Sequence, residues 1–164
     1  MLAGLTGACC PNPNISEEFT LTSPQKALLD HKTDLALEHF QKKPFYELLT
    51  DENLTSKAIT ENKNIQRELL QYPSCLELYL GEVKSIPKEK RGFKGLFVYT
   101  FTGKDYFYQA IQPIIYEHQT VLLNLYFINE ENQLKLYNLS WESEDQHRKE
   151  FYECFTPRPQ ATKK

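Results

Sequence analysis

The sequence has few of the features that mark disulfide-stapled, nucleic-acid-binding or membrane-spanning proteins. It contains four cysteines in 164 residues, without a CxxC pair or a zinc-finger spacing. No apolar run approaches the roughly 18 residues of a membrane-spanning helix. The formal net charge is only −3 and the isoelectric point is near 5.8. Because nucleic-acid binding needs a basic surface, we expect no nucleic-acid partner.

Catalytic motifs are equally scarce. The four histidines are scattered, and the chain has no HExxH, no glycine-rich phosphate loop and no GxSxG. His31 and His39 lie eight residues apart on the first predicted helix, too far apart to share a metal ion. The sequence therefore predicts no metal site, no cofactor and no recognisable catalytic set.

Apolar residues are abundant enough for one folded domain. Leu, Ile, Val and Phe account for 43 of the 164 residues, above the roughly 20% below which chains stay disordered. Prolines around Asn12 interrupt the start of the chain. We expect a flexible segment over 1–22, a single domain over 23–156 and a disordered tail over 157–164.

The first half of that domain has helical periodicity. Ser23-Pro24 is typical of a helix start, because serine caps the first turn and proline needs no hydrogen-bond acceptor there. This helix should run to about Lys42, and a short helical turn should follow Pro44. A further helix is expected to end at Pro73, because the residue before proline disfavours the helical conformation.

The second half changes to a period of two, which is typical of strands. We expect four to five antiparallel strands, drawn from segments 76–80, 96–101, 105–118, 121–128 and 134–141. Pro113 should mark a bulge or an edge, since proline donates no ladder hydrogen bond. The polar turn 129–132 should join the last two strands in a hairpin. Helices followed by antiparallel strands define an α+β fold.

Two further segments complete the expected fold. The five cationic residues within 84–95 predict a solvated basic loop, with contact to anionic headgroups or an acidic partner as the alternative. Ser143 and Gln146 have the spacing of a capping box, which predicts a helix start. A short C-terminal helix carrying Phe151, Cys154 and Phe155 should follow.

The order of these elements resembles nuclear-transport-factor-2-like domains, including small bacterial envelope domains of unknown function. The resemblance covers roughly residues 25–142 and is carried by the segments Ala36–Leu49, Leu69-Leu70, Leu80–Ile86, Thr120–Leu125 and Leu134–Leu139. It implies a curved antiparallel sheet wrapped around helices, which together form a cone with an apolar pocket. Members of this family include enzymes and binding adaptors, so the fold alone does not assign a function.

A cluster of polar aromatic residues supplies the candidate ligand pocket. An aspartate beside tyrosine hydroxyls could abstract a proton while the phenols stabilise an enolate. The alternative is that these side chains only fill a core. The candidates are Tyr99, Asp105, Tyr108, Tyr116, His118 and Trp141.

The cysteines bear on the location of the protein. The run Leu5–Cys9 looks like the end of a lipoprotein signal, which makes Cys9 a lipidation candidate and favours the bacterial envelope. Either the upstream part of that signal is missing from this chain, or the similarity is accidental and the protein is cytoplasmic. In an oxidising compartment Cys75 and Cys154 could form a disulfide. Otherwise they are small buried hydrophobic residues.

Taken together, the sequence predicts a non-catalytic module that binds a small apolar ligand or a partner protein. Attachment to a membrane through a lipidated Cys9 is part of this hypothesis. One alternative is an isomerase- or dehydratase-type enzyme that uses Asp105 and the strand tyrosines. Another is an intracellular module that forms a homodimer through an exposed face of its sheet.

Overall fold

The computed structural model describes residues 17–41, 44–100 and 103–143. The predicted α+β fold is confirmed, with helices preceding most of a curved antiparallel sheet. The described part contains six strands rather than four to five. The elements are β1 Glu17–Phe19, α1 Ser23–Gln41, α2 Phe45–Thr50, α3 Lys57–Thr60, α4 Lys63–Leu80, β2 Val83–Ser85, β3 Gly92–Thr100, β4 Gly103–Tyr116, β5 Thr120–Glu130 and β6 Gln133–Ser143.

The sheet has the order β1-β3-β4-β5-β6, and β2 pairs with the end of β4. The pairing of β4 with β3 ends at Ile111, and its pairing with β2 begins at Ile115. Pro113 lies between these two points and pairs with Leu122 of β5. Its position is therefore a local edge, as predicted from the missing N–H of proline.

The predicted strand over 76–80 is wrong, because these residues form the last turns of α4. The helix continues through Pro73 to Leu80 and is capped by Gly81, whose φ of 79° suits glycine. Leu76 is fully buried, whereas Leu78 is 74% exposed. A strand would place both side chains on one face, but a helix separates them.

The hairpin of β5 and β6 confirms the prediction for the end of the sheet. Glu130 pairs with Gln133, and the two residues between them have positive φ angles of 54° and 62°. This is the backbone of a type I′ turn, which matches the twist of paired strands. The hairpin also holds the start of α3, because the Glu130 carboxylate accepts hydrogen bonds from the Ser56 hydroxyl (2.6 Å) and the Lys57 N–H (3.2 Å).

The segment predicted as a basic solvated loop is shorter and more ordered than expected, because residues 83–85 and 92–95 belong to strands. Its Arg91 side chain is 2% exposed and packs against α1. The guanidinium donates to Asp30 Oδ1 (2.5 Å) and to Gln112 Oε1 (2.7 Å) and lies 2.9 Å from Asp34 Oδ1. Lys88 pairs with the same two aspartates from the solvent side.

The main core lies between the helices and one face of the sheet. Its fully buried members are aliphatic residues of both layers, with Phe127 as the largest. They lie between the two layers, where the family resemblance implies a cone with an apolar pocket. They include Leu29, Leu48, Leu49, Ile59, Leu69 and Leu76 from the helical layer, and Ala110, Ile114, Leu123, Leu125, Phe127 and Leu136 from the sheet.

Several predictions fall on other parts of the chain. The C-terminal helix, the tail over 157–164 and most of the segment 1–22 lie outside the described residues. Within that segment, β1 pairs with β3, so the sheet begins before the boundary expected at residue 23. In the described ranges, no helix has the length and hydropathy to cross a membrane.

Candidate functional site

Five aromatic side chains form a cluster on one face of β1, β3 and β4, which we call the aromatic surface. The register pairs Phe97 with Tyr106, and Gly95 with both Phe19 and Tyr108. Residues that are paired across strands, or two apart on one strand, share a face of the sheet. The aromatic surface consists of Phe19, Phe97, Tyr99, Tyr106 and Tyr108.

Four rings of the aromatic surface are in mutual contact. Phe97 lies 4.8 Å from Phe19 and 4.9 Å from Tyr106 between ring centroids. Phe19 also meets Tyr106 and Tyr108 edge-on, each at 5.9 Å. Gly95 makes this possible, because a Cβ at that position would lie 2.6 Å from the Phe19 ring. The rings therefore support each other and form a fixed surface.

The surface exists because β3 and β4 extend beyond the helices. Along this face of β4, Ala110 and Ile114 are buried in the core, Tyr108 is half-buried and Tyr106 is 50% exposed. On β3, Tyr99 is 53% exposed. The face that forms the core at one end of the sheet thus presents aromatic rings to solvent at the other.

Charged groups lie beside the exposed tyrosines. The Lys104 ammonium is 5.2 Å from the centroid of the Phe97 ring and 5.1 Å from that of Tyr99, within the range of cation–π contact. The Tyr99 hydroxyl donates to Glu17 Oε2 at 3.4 Å. One cation and one carboxylate leave this site without a strong charge of either sign.

The structure divides the six predicted pocket residues among separate places. Tyr99 and Tyr108 belong to the aromatic surface. Asp105 is exposed on the opposite face of β4 from Tyr108, because successive side chains of a strand alternate. His118 is exposed after the end of β4, where its N–H donates to the Leu80 carbonyl (3.0 Å). Asp105 and the tyrosines are therefore not assembled into a proton-transfer site.

Tyr116 and Trp141 lie at the other end of the helix–sheet interface. Burial, with a smaller contribution from the Glu77 charge, raises the pKa of the Tyr116 hydroxyl far above its ordinary value. Tyr116 lines a cleft of about 60 Å³ together with Phe40 and Pro73. Trp141 packs on Phe40 (5.5 Å), and its buried Nε1 has no hydrogen-bond partner among the described residues.

A wider cleft of about 450 Å³ separates α1 from α2 and the loop after it. Its lining includes the carboxylates Glu38, Glu47 and Asp51 beside the buried His39. These side chains do not converge on a metal position, and the same holds for every His, Cys, Asp and Glu cluster in ranges 17–41, 44–100 and 103–143. This cleft was not predictable from local sequence patterns, because its residues come from three separate segments.

Three members of the aromatic surface were not among the predicted site residues. Phe97 and Tyr106 could have been found by pairing the two strands around the predicted Gly103 turn, which places both beside Tyr99 and Tyr108. Phe19 carries no such signal, because its segment has no strand periodicity and only the fold brings it to β3.

Of the four cysteines, the structure describes only Cys75. Cys75 is buried in α4 and is disulfide-bonded. Cys9, Cys10 and Cys154 lie outside the described residues. The lipidation of Cys9 and the pairing of Cys75 with Cys154 remain predictions.

Comparison of the chain with protein-family models, with curated proteins and with solved structures finds no match. The functional interpretation therefore depends on the geometry of the aromatic surface and the two clefts.

Proposed function

We propose that the protein is a non-catalytic binding module that holds an extended apolar segment of a partner protein on its aromatic surface. The observation that carries the proposal is the exposure of about half of both Tyr99 and Tyr106 beside three further rings. Tyrosine is enriched at protein interfaces because its large ring loses little entropy on binding and its hydroxyl still forms hydrogen bonds. Contiguous exposed rings of this kind favour an interaction site.

The sizes of the clefts favour a protein partner over a small apolar ligand. Pockets for drug-sized ligands have volumes of about 300–1,000 Å³ and mostly apolar linings. The cleft beside Tyr116 has only about 60 Å³. The lining of the cleft of about 450 Å³ includes Leu35 and Leu54 but also three carboxylates, and covering carboxylates with an apolar molecule is unfavourable. An apolar partner therefore has more suitable contacts on the aromatic surface than in either cleft.

The family and the location are proposed together with this function. The helices ahead of a curved antiparallel sheet support membership in the nuclear-transport-factor-2-like superfamily. The resemblance of Leu5–Cys9 to a lipoprotein signal supports an envelope protein anchored through Cys9. In that location the aromatic surface would serve a partner in the envelope.

The proposal predicts that the two exposed tyrosines determine affinity. Peptides selected from a random phage-displayed library against the whole protein should bind the double variant Y99A/Y106A about tenfold or more weakly, as expected when interface anchors are removed. Isothermal titration with the synthetic peptides measures this change. The matched control is Tyr46→Ala, because Tyr46 is 54% exposed on α2 and lies outside the aromatic surface.

Unchanged affinity in the double variant, or an equal loss in Tyr46→Ala, would contradict the proposal. Sedimentation of the free protein over a range of concentrations covers the alternative of a homodimer. If the protein self-associates and Y99A/Y106A abolishes this, the occupant is a second copy and the partner proposed here is wrong.

A further inference from the structure

The small cleft beside Tyr116 leads from solvent to the edge of the core. It lies between the ends of α1 and α4 on one side and β2 and β4 on the other, and its volume is about 60 Å³. Ile114 and Tyr116 form its base and are 1% and 5% exposed. Its mouth is formed by the exposed residues Gln41, Glu77 and Val83. The cleft therefore joins a buried tyrosine to solvent.

The hydroxyl of this tyrosine lacks a hydrogen-bond partner. Tyr116 lies on the same face of β4 as Ile114 and lines the cleft from the side of the sheet. Within ranges 17–41, 44–100 and 103–143, no group donates to its hydroxyl or accepts from it. Buried tyrosine hydroxyls usually have a partner, because an unpaired buried polar group is unfavourable. A polar ligand in the cleft would supply the missing hydrogen bond.

A carboxylate lies near this hydroxyl. Burial, and to a smaller extent the Glu77 charge, raises the pKa of Tyr116, so the phenol stays neutral and can accept a hydrogen bond. None of the described residues that line the cleft is cationic. In the part of the chain that the structure describes, Glu77 forms no ion pair. The site therefore attracts a cation and repels an anion.

We propose that this cleft binds a primary alkylammonium group, supplied by a free amine or by the end of a lysine side chain. An ammonium has three N–H donors, and the lining offers three kinds of oxygen acceptor in the Glu77 carboxylate, the Tyr116 hydroxyl and the Gln41 amide. The alkyl chain would contact Phe40 and Ile114. Contact of the cation with an aromatic ring adds to the attraction.

The volume of the cleft limits the length of the ligand. One water-sized group needs roughly 10–15 Å³ of such a cavity, so the cleft has room for about four or five heavy atoms. n-Butylamine has this size and carries the same four-carbon chain and ammonium as a lysine side chain. The proposal is independent of the aromatic surface, because the two sites share no residue.

Titration of the ¹⁵N-labelled full chain with n-butylamine, followed by two-dimensional NMR at neutral pH, tests the proposal. The amine is protonated at this pH, as a lysine side chain is. We expect saturable shifts of the amides around Tyr116 and Glu77, with a millimolar Kd that suits so small a ligand. n-Butanol should bind about tenfold more weakly because it lacks the charge. Binding of n-butanol or butyrate as tight as that of n-butylamine, or no saturable shift at the cleft, would overturn the proposal.

Two variants test the groups that hold the ammonium. Glu77→Gln should weaken binding of n-butylamine about tenfold, and Tyr116→Phe, which removes only the hydroxyl, about threefold. The matched control is Glu82→Gln, which makes the same change in net charge at an 80% exposed side chain outside the lining. Equal weakening in the control and in Glu77→Gln, or unchanged affinity in both cleft variants, would also overturn the proposal.

A capped lysine distinguishes the two sources of the ammonium. Nα-acetyl-lysine amide has the same chain and charge, joined to a peptide backbone. If it shifts the amides at the cleft as n-butylamine does, the end of a partner's lysine side chain fits the site. If only n-butylamine binds, the ligand is a free amine. Both results support an alkylammonium site.

Discussion

Arg91 is a buried cation that connects the segment before β3 to α1 and β4. Its buried guanidinium lies between two carboxylates of α1 and the amide of Gln112. Burial alone would raise the pKa of Asp34, but hydrogen bonds from Lys88 and Arg91 outweigh it and hold that pKa below its ordinary value. The two aspartates are therefore paired with one buried cation, Arg91, and one exposed cation, Lys88.

This difference predicts unequal effects of removing the two cations. Arg91→Met should lower the free energy of unfolding by about 3 kcal/mol, because it leaves the buried Gln112 Oε1 without its donor and leaves Asp30 and Asp34 with only the exposed Lys88 as a partner. The Lys88 side chain is 55% exposed, and Lys88→Met should cost less than about 1 kcal/mol. Urea denaturation at neutral pH measures both. Equal losses would show that Arg91 is no more important than a surface ion pair.

The role of Arg91 could not be predicted from its own segment. Five Lys and Arg residues within 84–95 predict a solvated basic loop, and nothing in their spacing distinguishes Arg91 from the lysines. Asp30 and Asp34 are one turn apart on α1 and select Arg91, but this contact forms between segments about 60 residues apart. Local patterns contain no information on such a pairing.

At the scale of elements, α4 shows how two periodicities can compete in one segment. Leu76, Leu78 and Leu80 alternate with polar residues, as in a strand. Leu69, Leu76 and Leu80 also follow the helical repeat and form the buried face. Pro73 led to the wrong prediction that the helix ends there. In the structure α4 contains this proline and continues to Leu80. Packing of the helical face against the core decided the conformation.

This correction predicts different results for two neighbouring leucines. Leu76→Ala should lower the free energy of unfolding by about 3 kcal/mol, since it leaves a cavity in the core. Leu78→Ala should change it by no more than about 0.5 kcal/mol, because this side chain is 74% exposed. Thermal and urea denaturation measure both effects. Similar losses for the two variants would indicate a strand over 76–80.

Elements defined by local chemistry were predictable. The start of α1 at Ser23-Pro24 was predictable, but the predicted cap was wrong, because Thr22 and not Ser23 accepts from the Gln25 N–H (3.3 Å). The hairpin of β5 and β6 follows from a polar turn between two alternating strands. The hydrogen bonds from Ser56 and Lys57 to Glu130 were not predictable, because they join residues more than 70 positions apart. Phe19 of the candidate site was unpredictable for the same reason, because it joins the site only through the pairing of β1 with the distant β3.

At the scale of the whole molecule, the aromatic surface exists because β3 and β4 are longer than the helical layer that packs on them. The helices cover the sheet from Ala110 onward along β4, and the hairpin of β3 and β4 extends past them. The alternation that buries aliphatic side chains under the helices continues as Tyr106 and Tyr99 in solvent. The sequence predicted Tyr99 but not Tyr106 as a candidate ligand contact, and it could not show that both side chains face solvent at this end of the sheet.

The most direct test of the proposed function locates a bound peptide on the folded protein. Amide chemical shifts are recorded by two-dimensional NMR on the ¹⁵N-labelled full chain, during titration with a peptide selected from the random library. The account predicts that the largest changes occur in β1, β3 and the first residues of β4, around Tyr99 and Tyr106. Changes concentrated around the acidic cleft between α1 and α2, with none at the aromatic surface, would contradict it.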